Sequence, residues 1–202
     1  PLIKHSIDFA LSSKLISDVY VSSEDTEILS IAKNCGANTI KRPDDLATDQ
    51  SPEWLSWQHA VKYLHSKGEN FDQFVSLPCT SPLRRQKDVK RAIEKFSKSK
   101  YDVCISCSEA KSNPYFSMLK FTNDIATLVN EGEKTYYRRQ DAPVVYDMAG
   151  VVYITTPNYI LRNNSIFDGR VTAIKVPKIN AVDIDDVLDF EFAEFIIRKS
   201  KI

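Results

Sequence analysis

Short β-branched or aromatic runs alternate with longer stretches whose apolar residues recur at helical spacing, and this alternation limits the chain to very few fold classes. Ile3, Ile7, Ala10 and Leu11 mark a first helix over residues 1 to 14. Asp18 to Ser22 reads as a strand. Glu24 to Cys35 reads as a helix with Ile28, Ile31 and Ala32 inward, closed by Gly36 where a left-handed residue is favoured. Residues 37 to 41 give another strand, and the turn formers from Arg42 to Pro52 an exposed loop. Ser51 is the expected cap of the next helix, with Pro52 at its first position. That helix carries Trp54, Trp57, Val61 and Leu64, a stripe that reads as core packing rather than a base-stacking platform. Phe71 to Leu77 is a strand, Gln86 to Ser97 a helix and 102 to 107 a strand. From Lys111 to Val145 the alternation gives way to aromatic and β-branched segments divided by polar turns at Thr122-Asn123-Asp124 and Asn130-Glu131-Gly132-Glu133. This predicts an antiparallel insertion. Val151 to Thr155 returns to the main sheet, followed by a short helix near Tyr159 to Arg162, a strand over 171 to 176 and a last helix over 186 to 198. The whole implies a three-layer, mostly parallel α/β sheet of Rossmann-like kind. Such sheets open with a strand whose loop feeds the first helix, so a strand and loop are expected before Pro1.

At 202 residues the chain suits one domain, spanning 1 to 202, with the 111 to 145 insertion as its elaboration. Lys+Arg and Asp+Glu both total 27, so no global field attracts nucleic acid or an anionic membrane, and any anion site must be local. No apolar run approaches the ~20 residues of a membrane span, and the N-terminus lacks a basic-then-apolar signal pattern; a cytoplasmic protein is the expectation. Cys104 and Cys107 lie on a strand pattern that turns them to opposite faces, and with Cys35 and Cys79 they read as free thiols. His5, His59 and His65 form neither a metal-ligand nor a triad pattern. The five glycines form no phosphate-cradling loop.

Three polar clusters stand out. Tyr137 to Tyr153 holds Arg138, Arg139, Gln140, Asp141 and Asp147 among three tyrosines and runs into a buried strand. Adjacent arginines offer planar forks to carboxylate or phosphate oxygens. A salt-bridged surface hairpin explains the same residues equally well. Thr80 and Ser81 follow a strand and precede a helix, the position where open α/β sheets bind ligands, although ordinary turn capping also accounts for them. Asp183 and Asp185 are two apart, so an extended backbone turns both carboxylates to one side, as Mg²⁺ ligation in nucleotidyl transfer requires. Helix capping explains one of these acids but not the pair.

The order and content of these clusters resemble the CMP-sugar synthetases, the cytidylyltransferases that activate sialic acid and related nonulosonic acids. Arg42-Pro43 with Leu46-Ala47-Thr48-Asp49, Thr80-Ser81-Pro82-Leu83-Arg84, Arg139-Gln140-Asp141-Ala142-Pro143 and Asp183-Ile184-Asp185 carry the resemblance, which covers essentially the whole chain. Pro78-Cys79 and Ala149-Gly150-Val151 depart from the Gln-Pro and Asn-Gly-Ala of sialic acid enzymes, and Tyr146-Asp147-Met148 looks more like branches that activate legionaminate-type sugars. The resemblance implies a nucleotide-diphospho-sugar transferase sheet, and CTP plus an acidic nine-carbon sugar giving CMP-sugar and pyrophosphate. It further implies Mg²⁺ on Asp183 and Asp185, Arg139 on the sugar carboxylate, and Gln140 and Tyr153 on sugar hydroxyls. Arg42, Ser51, Thr80 and Ser81 are then expected along the nucleotide. It also implies a homodimer formed through residues 111 to 145, with Arg139 reaching the partner's site. Other sugar-nucleotide enzymes, such as a CMP-Kdo synthetase or an Asp-x-Asp glycosyltransferase, and a non-catalytic nucleotide- or sugar-binding relative, are the alternatives.

Overall fold

The computed structural model describes residues 1–48, 50–98, 100–131 and 134–199. Helix α1 (Leu2–Ser12) buries Ile7 and Ala10 and is followed by strand β1 (Tyr20–Ser23). Helix α2 (Thr26–Asn34) starts where the Asp25 carboxylate accepts from the amides of Glu27 and Ile28, at 2.6 and 3.1 Å, and stops at Gly36, whose φ of +92° is left-handed. Strand β2 (Asn38–Lys41) then lies parallel to β1, as the helical crossover through α2 allows.

Helix α3 (Glu53–Ser66) begins one residue later than its sequence implies. Pro52, not Ser51, occupies the cap position, and it makes no side-chain cap bond. The cap expected of Ser51 is therefore absent: its hydroxyl is buried without a partner among the described residues. Strand β3 (Phe74–Ser76) is the short remainder of the predicted Phe71–Leu77 strand, and it leads through a turn to α4 (Gln86–Ser97) and β4 (Val103–Glu109).

The 111 to 145 segment contains a β5 (Leu119–Thr122) and β6 (Ile125–Leu128) hairpin. Its two turn residues, Asn123 and Asp124, have φ of 47° and 64°, a conformation that Asn and Asp tolerate better than other residues with side chains. The second polar turn expected there falls partly on Gly132 and Glu133, outside the described residues. Strand β7 (Tyr146–Thr155), α5 (Pro157–Arg162), β8 (Val171–Lys175) and α6 (Val187–Lys199) complete the chain.

The larger sheet has the order β3-β7-β4-β8. β4 and β8 are parallel, whereas β7 runs antiparallel to both β3 and β4. The mostly parallel pattern is thus interrupted at one strand. The reason lies in its entry: β7 arrives from the insertion rather than by a helical crossover.

Alternate residues of the sheet feed two apolar clusters. Val103, Ile105 and Tyr153 pack with Trp54, Trp57 and Val61 of α3 and Ile160 of α5. Cys104, Val152 and Ile154 pack with Val89, Ala92 and Phe96 of α4. Helices therefore cover both faces, which makes the three layers. The tryptophan stripe is core, and all four cysteines are free.

Among the described residues β1 pairs only with β2 and β3 only with β7. A largely apolar cleft of about 360 Å³ separates the two sheets, lined in part by Ile7, Val19, Val21, Ile40 and Val75.

Candidate active site

The turn after β3 carries Thr80, Ser81 and Arg84, and it meets two distant segments. Ile184 donates its amide to the Thr80 carbonyl at 2.9 Å, and Asn180 donates its side-chain amide to the Leu83 carbonyl at 2.9 Å. These bonds bring the segment before α6 alongside the turn.

Gly150 in β7 closes the third side. A Cβ on Gly150 would lie 3.0 Å from Ser81 Oγ and 3.4 and 3.7 Å from the two carboxylate oxygens of Asp183. Ser81 is fully buried, yet its hydroxyl has no partner among the described residues. A buried hydroxyl without a partner is costly, and this one points into a space bounded by a carboxylate and a bare backbone.

Asp185 lies two residues beyond Asp183 and is exposed. Neither acid's side chain is used by α6. The Asp189 carboxylate receives the amides of Asp185 and Asp186, and Asp186 receives that of Asp189. Capping is thus done by other acids, and the carboxylates of Asp183 and Asp185 stay free of it.

Tyr153 sits behind this point, buried, with its ring centroid 5.7 Å from that of Trp57. Trp57 in turn donates its indole N–H to Glu53 Oε1 at 3.1 Å. Glu53 as a residue is exposed, but protein crowds its carboxyl end. Burial first, and the Asp183 charge in addition, push that carboxyl above its ordinary range, against the lowering effect of the Trp57 bond. Burial also raises the Tyr153 phenol, with Glu53 and Asp183 adding to it. Arg84 is depressed to about 10 by burial, with Cys79 and Asp183 acting in the opposite sense. Glu53, Tyr153, Arg84 and Asp183 therefore share one electrostatic neighbourhood.

On the β1–β2 side, Arg42 donates to Glu24 Oε2 at 2.5 Å and to Ser56 Oγ at 3.1 Å. Its Nε, with the hydroxyls of Ser22 and Ser51, is buried and unpartnered among the described residues. Ser22, Arg42, Glu53 and Ser56 line the cleft. Asp49, from the Leu-Ala-x-Asp stretch, lies outside the described residues.

Arg139 and Gln140 are placed differently. They occupy an exposed 3-10 turn, Arg139–Asp141, in the insertion. Arg139 donates to the carbonyls of Ala110 and Lys111, the former at 3.2 Å. Neighbouring Arg138 forks onto Asp141 at 2.8 and 3.0 Å. The surface ion pair expected as the alternative is thus present for Arg138, and no bond joins Arg139 to the Asp183 cluster among the described residues.

Sequence reasoning passed over Glu53, for which the i,i+4 spacing with Trp57 was the available signal. Arg84 stood within the Thr-Ser-Pro-Leu-Arg stretch without a role, because only the fold shows that its cation is buried.

The architecture is shared with a CMP-2-keto-3-deoxy-manno-octonic acid synthetase solved with CTP, at a TM-score of 0.70 and 14% identity, over 99% of this chain and 88% of that one. A 4-diphosphocytidyl-2C-methyl-D-erythritol synthase aligns with a TM-score of 0.71 and 8% identity, over 97% and 88%. The fold is thus the mixed α/β fold of these two synthases. Residues 1–199 match the cytidylyltransferase family, and the chain belongs to it. It is 32% identical to the CMP-N,N'-diacetyllegionaminic acid synthase of Campylobacter jejuni, over 97% of this chain and 83% of that protein. Flagellin modification protein B of Campylobacter coli is 29% identical over 100% of this chain and 86% of its own length. The N-acylneuraminate cytidylyltransferase of Streptococcus agalactiae is 31% identical over 94% of this chain, which spans only 45% of that longer protein. No helix among the described residues is long and apolar enough to cross a membrane.

Proposed function

We propose that this protein transfers the cytidylyl group of CTP to an acidic nonulosonic sugar of the sialic, legionaminic or related type, releasing pyrophosphate. The observation that carries the reading is the convergence of the Thr80–Ser81 turn, Gly150 and Asp183 on one point, in a chain that belongs to the cytidylyltransferase family.

The polar groups facing that point are oxygen donors: the Asp183 carboxylate and the unpartnered Ser81 hydroxyl, with the uncapped Asp185 nearby in sequence. Hard oxygen donors of this kind fit Mg²⁺, which keeps waters and takes phosphate oxygens in its remaining positions. Asp183 and Asp185 would hold it. When bound, the ion supplies electrostatic stabilisation of the charge on the transferring phosphate.

The chain's own groups then divide the work. Thr80 and Ser81, with Arg42 and Ser51, bind the nucleotide, and the unpartnered buried atoms of Arg42, Ser51 and Ser81 gain partners in doing so. Tyr153 and Gln140 bind sugar hydroxyls. Arg139 forks onto the sugar carboxylate from a neighbouring subunit, since within one chain its bonds go to the insertion backbone. The apolar hairpin face shared by Leu119, Phe121, Ala126 and Leu128, with Leu119 56% and Phe121 71% exposed, supports a homodimer joined through the insertion. Four free cysteines support action in the cytoplasm.

The test is pyrophosphate release from CTP by the full-length protein with N-acetylneuraminate, legionaminate-type acids and Kdo. Release that depends on a nonulosonic acid, and that falls about 100-fold or more in Asp183→Asn, is expected, equivalent to roughly 2.7 kcal/mol of transition-state stabilisation. Turnover indifferent to Asp183, or absent with every acid, defeats the reading.

A further inference from the structure

The guanidinium of Arg84 is buried beside the site, with the residue 7% exposed, and no acid stands within ion-pair distance of it among the described residues. The other fully buried charged group of this region, Asp88, is treated differently: Arg85 meets it at 2.7 Å and Arg91 at 3.7 Å. Arg84 has neutral partners only. Its Nε donates to the Val151 carbonyl at 3.1 Å, Nη1 to Ser6 Oγ at 2.6 Å and Nη2 to the Pro78 carbonyl, and its plane lies 5.7 Å from the Phe9 ring centroid. These acceptors satisfy N–H groups but leave the positive charge uncompensated, a costly arrangement that an apolar side chain of similar size would avoid. The groups whose charge acts on it are Cys79 first and Asp183 second.

The three acceptors belong to three separate pieces of the chain. Ser6 is in α1, Pro78 heads the turn that carries Thr80 and Ser81, and Val151 follows Gly150 in β7. The spacing between turn and strand at this place sets how closely Ser81 Oγ and the Asp183 carboxylate approach each other above Gly150.

We propose that Arg84 is a positioning residue for the transfer reaction. Its guanidinium locks the turn to α1 and to β7, so that Ser81 and Asp183 keep their places over Gly150, and its unneutralised charge favours an anionic ligand in the space they bound. The inference rests on the cytidylyl-transfer reading, but CTP binding measured by calorimetry without any sugar tests it separately. If wild type binds CTP yet turns over no acid, the acceptor reading fails while the Arg84 comparison still stands.

The experiment compares Arg84→Lys, Arg84→Ala and Ser6→Ala in the full-length protein. Folded Arg84→Lys should lose at least tenfold in kcat and in CTP affinity, with KM for the sugar unchanged. Arg84→Ala should lose more, and added guanidinium at low millimolar concentration should restore part of its kcat. A purely structural role predicts a lower Tm with kcat intact and no rescue, and that result overturns the proposal. Should both Arg84 variants fail to fold, Ser6→Ala decides: a several-fold fall in kcat at unchanged Tm supports it, and wild-type kcat overturns it.

Discussion

At the level of single residues, the constraint that bears on the site is at Gly150. A methyl group there would stand 3.0 Å from a buried hydroxyl and 3.4 Å from a carboxylate oxygen, so Ser81 or Asp183 must move. Gly150→Ala is expected to cut pyrophosphate release about tenfold or more, an effect of roughly 1.4 kcal/mol on the barrier, with little change in Tm. Glu53 makes a prediction of opposite sense. Its carboxyl is held above its ordinary value of 4.5, chiefly by burial, so the folded protein binds that proton more tightly than the unfolded chain does. Folding therefore carries no penalty from Glu53 below about pH 4 and an increasing one as pH rises through the ordinary value to the raised one. Glu53→Gln should stabilise the ligand-free protein near pH 8, by less than about 1 kcal/mol given solvent screening, and should match wild type near pH 4. Denaturant midpoints at the two pH values check this. Asp183 was legible as a paired acid; its direct approach to Ser81 over Gly150 was not, because the two lie 102 positions apart in the chain.

Among the elements, the hairpin of β5 and β6 carries an exposed apolar face. Leu119 and Phe121, which share that face with Ala126 and Leu128, are 56% and 71% exposed, on a two-stranded unit that is marginal in water by itself. Leu119→Asp with Phe121→Asp should shift the sedimentation coefficient from dimer to monomer and reduce turnover together, if Arg139 acts across subunits. A double variant that stays dimeric removes the insertion from the interface. The turn of this hairpin was readable from Asn123-Asp124, since few other residues accept positive φ. The start of α3 was misread for an equally local reason. Ser51-Pro52-Glu53 has cap chemistry, but the hydroxyl of Ser51 is withdrawn into a buried position and the helix opens without it.

For the molecule as a whole, the two sheets and the cleft between them set where polar atoms collect. Ser22 and Arg42, with unpartnered atoms among the described residues, line this cleft, whereas Ser81 lies beside Gly150 of β7. The sequence by itself determined the three layers, the succession of elements and the antiparallel character of the insertion, because hydrophobic periodicity and turn chemistry act over a few residues. It also marked Thr80-Ser81, Arg139-Gln140 and Asp183 with Asp185 as polar where a core or linker would not be. Only the tertiary structure decided that β7 runs against its neighbours, that Glu53 and Arg84 join the acid at position 183, and that Arg139 is bound to its own insertion backbone. Those outcomes depend on strand pairing and burial between segments far apart in the chain, and neither spacing nor residue type reports where a distant charge loses its water.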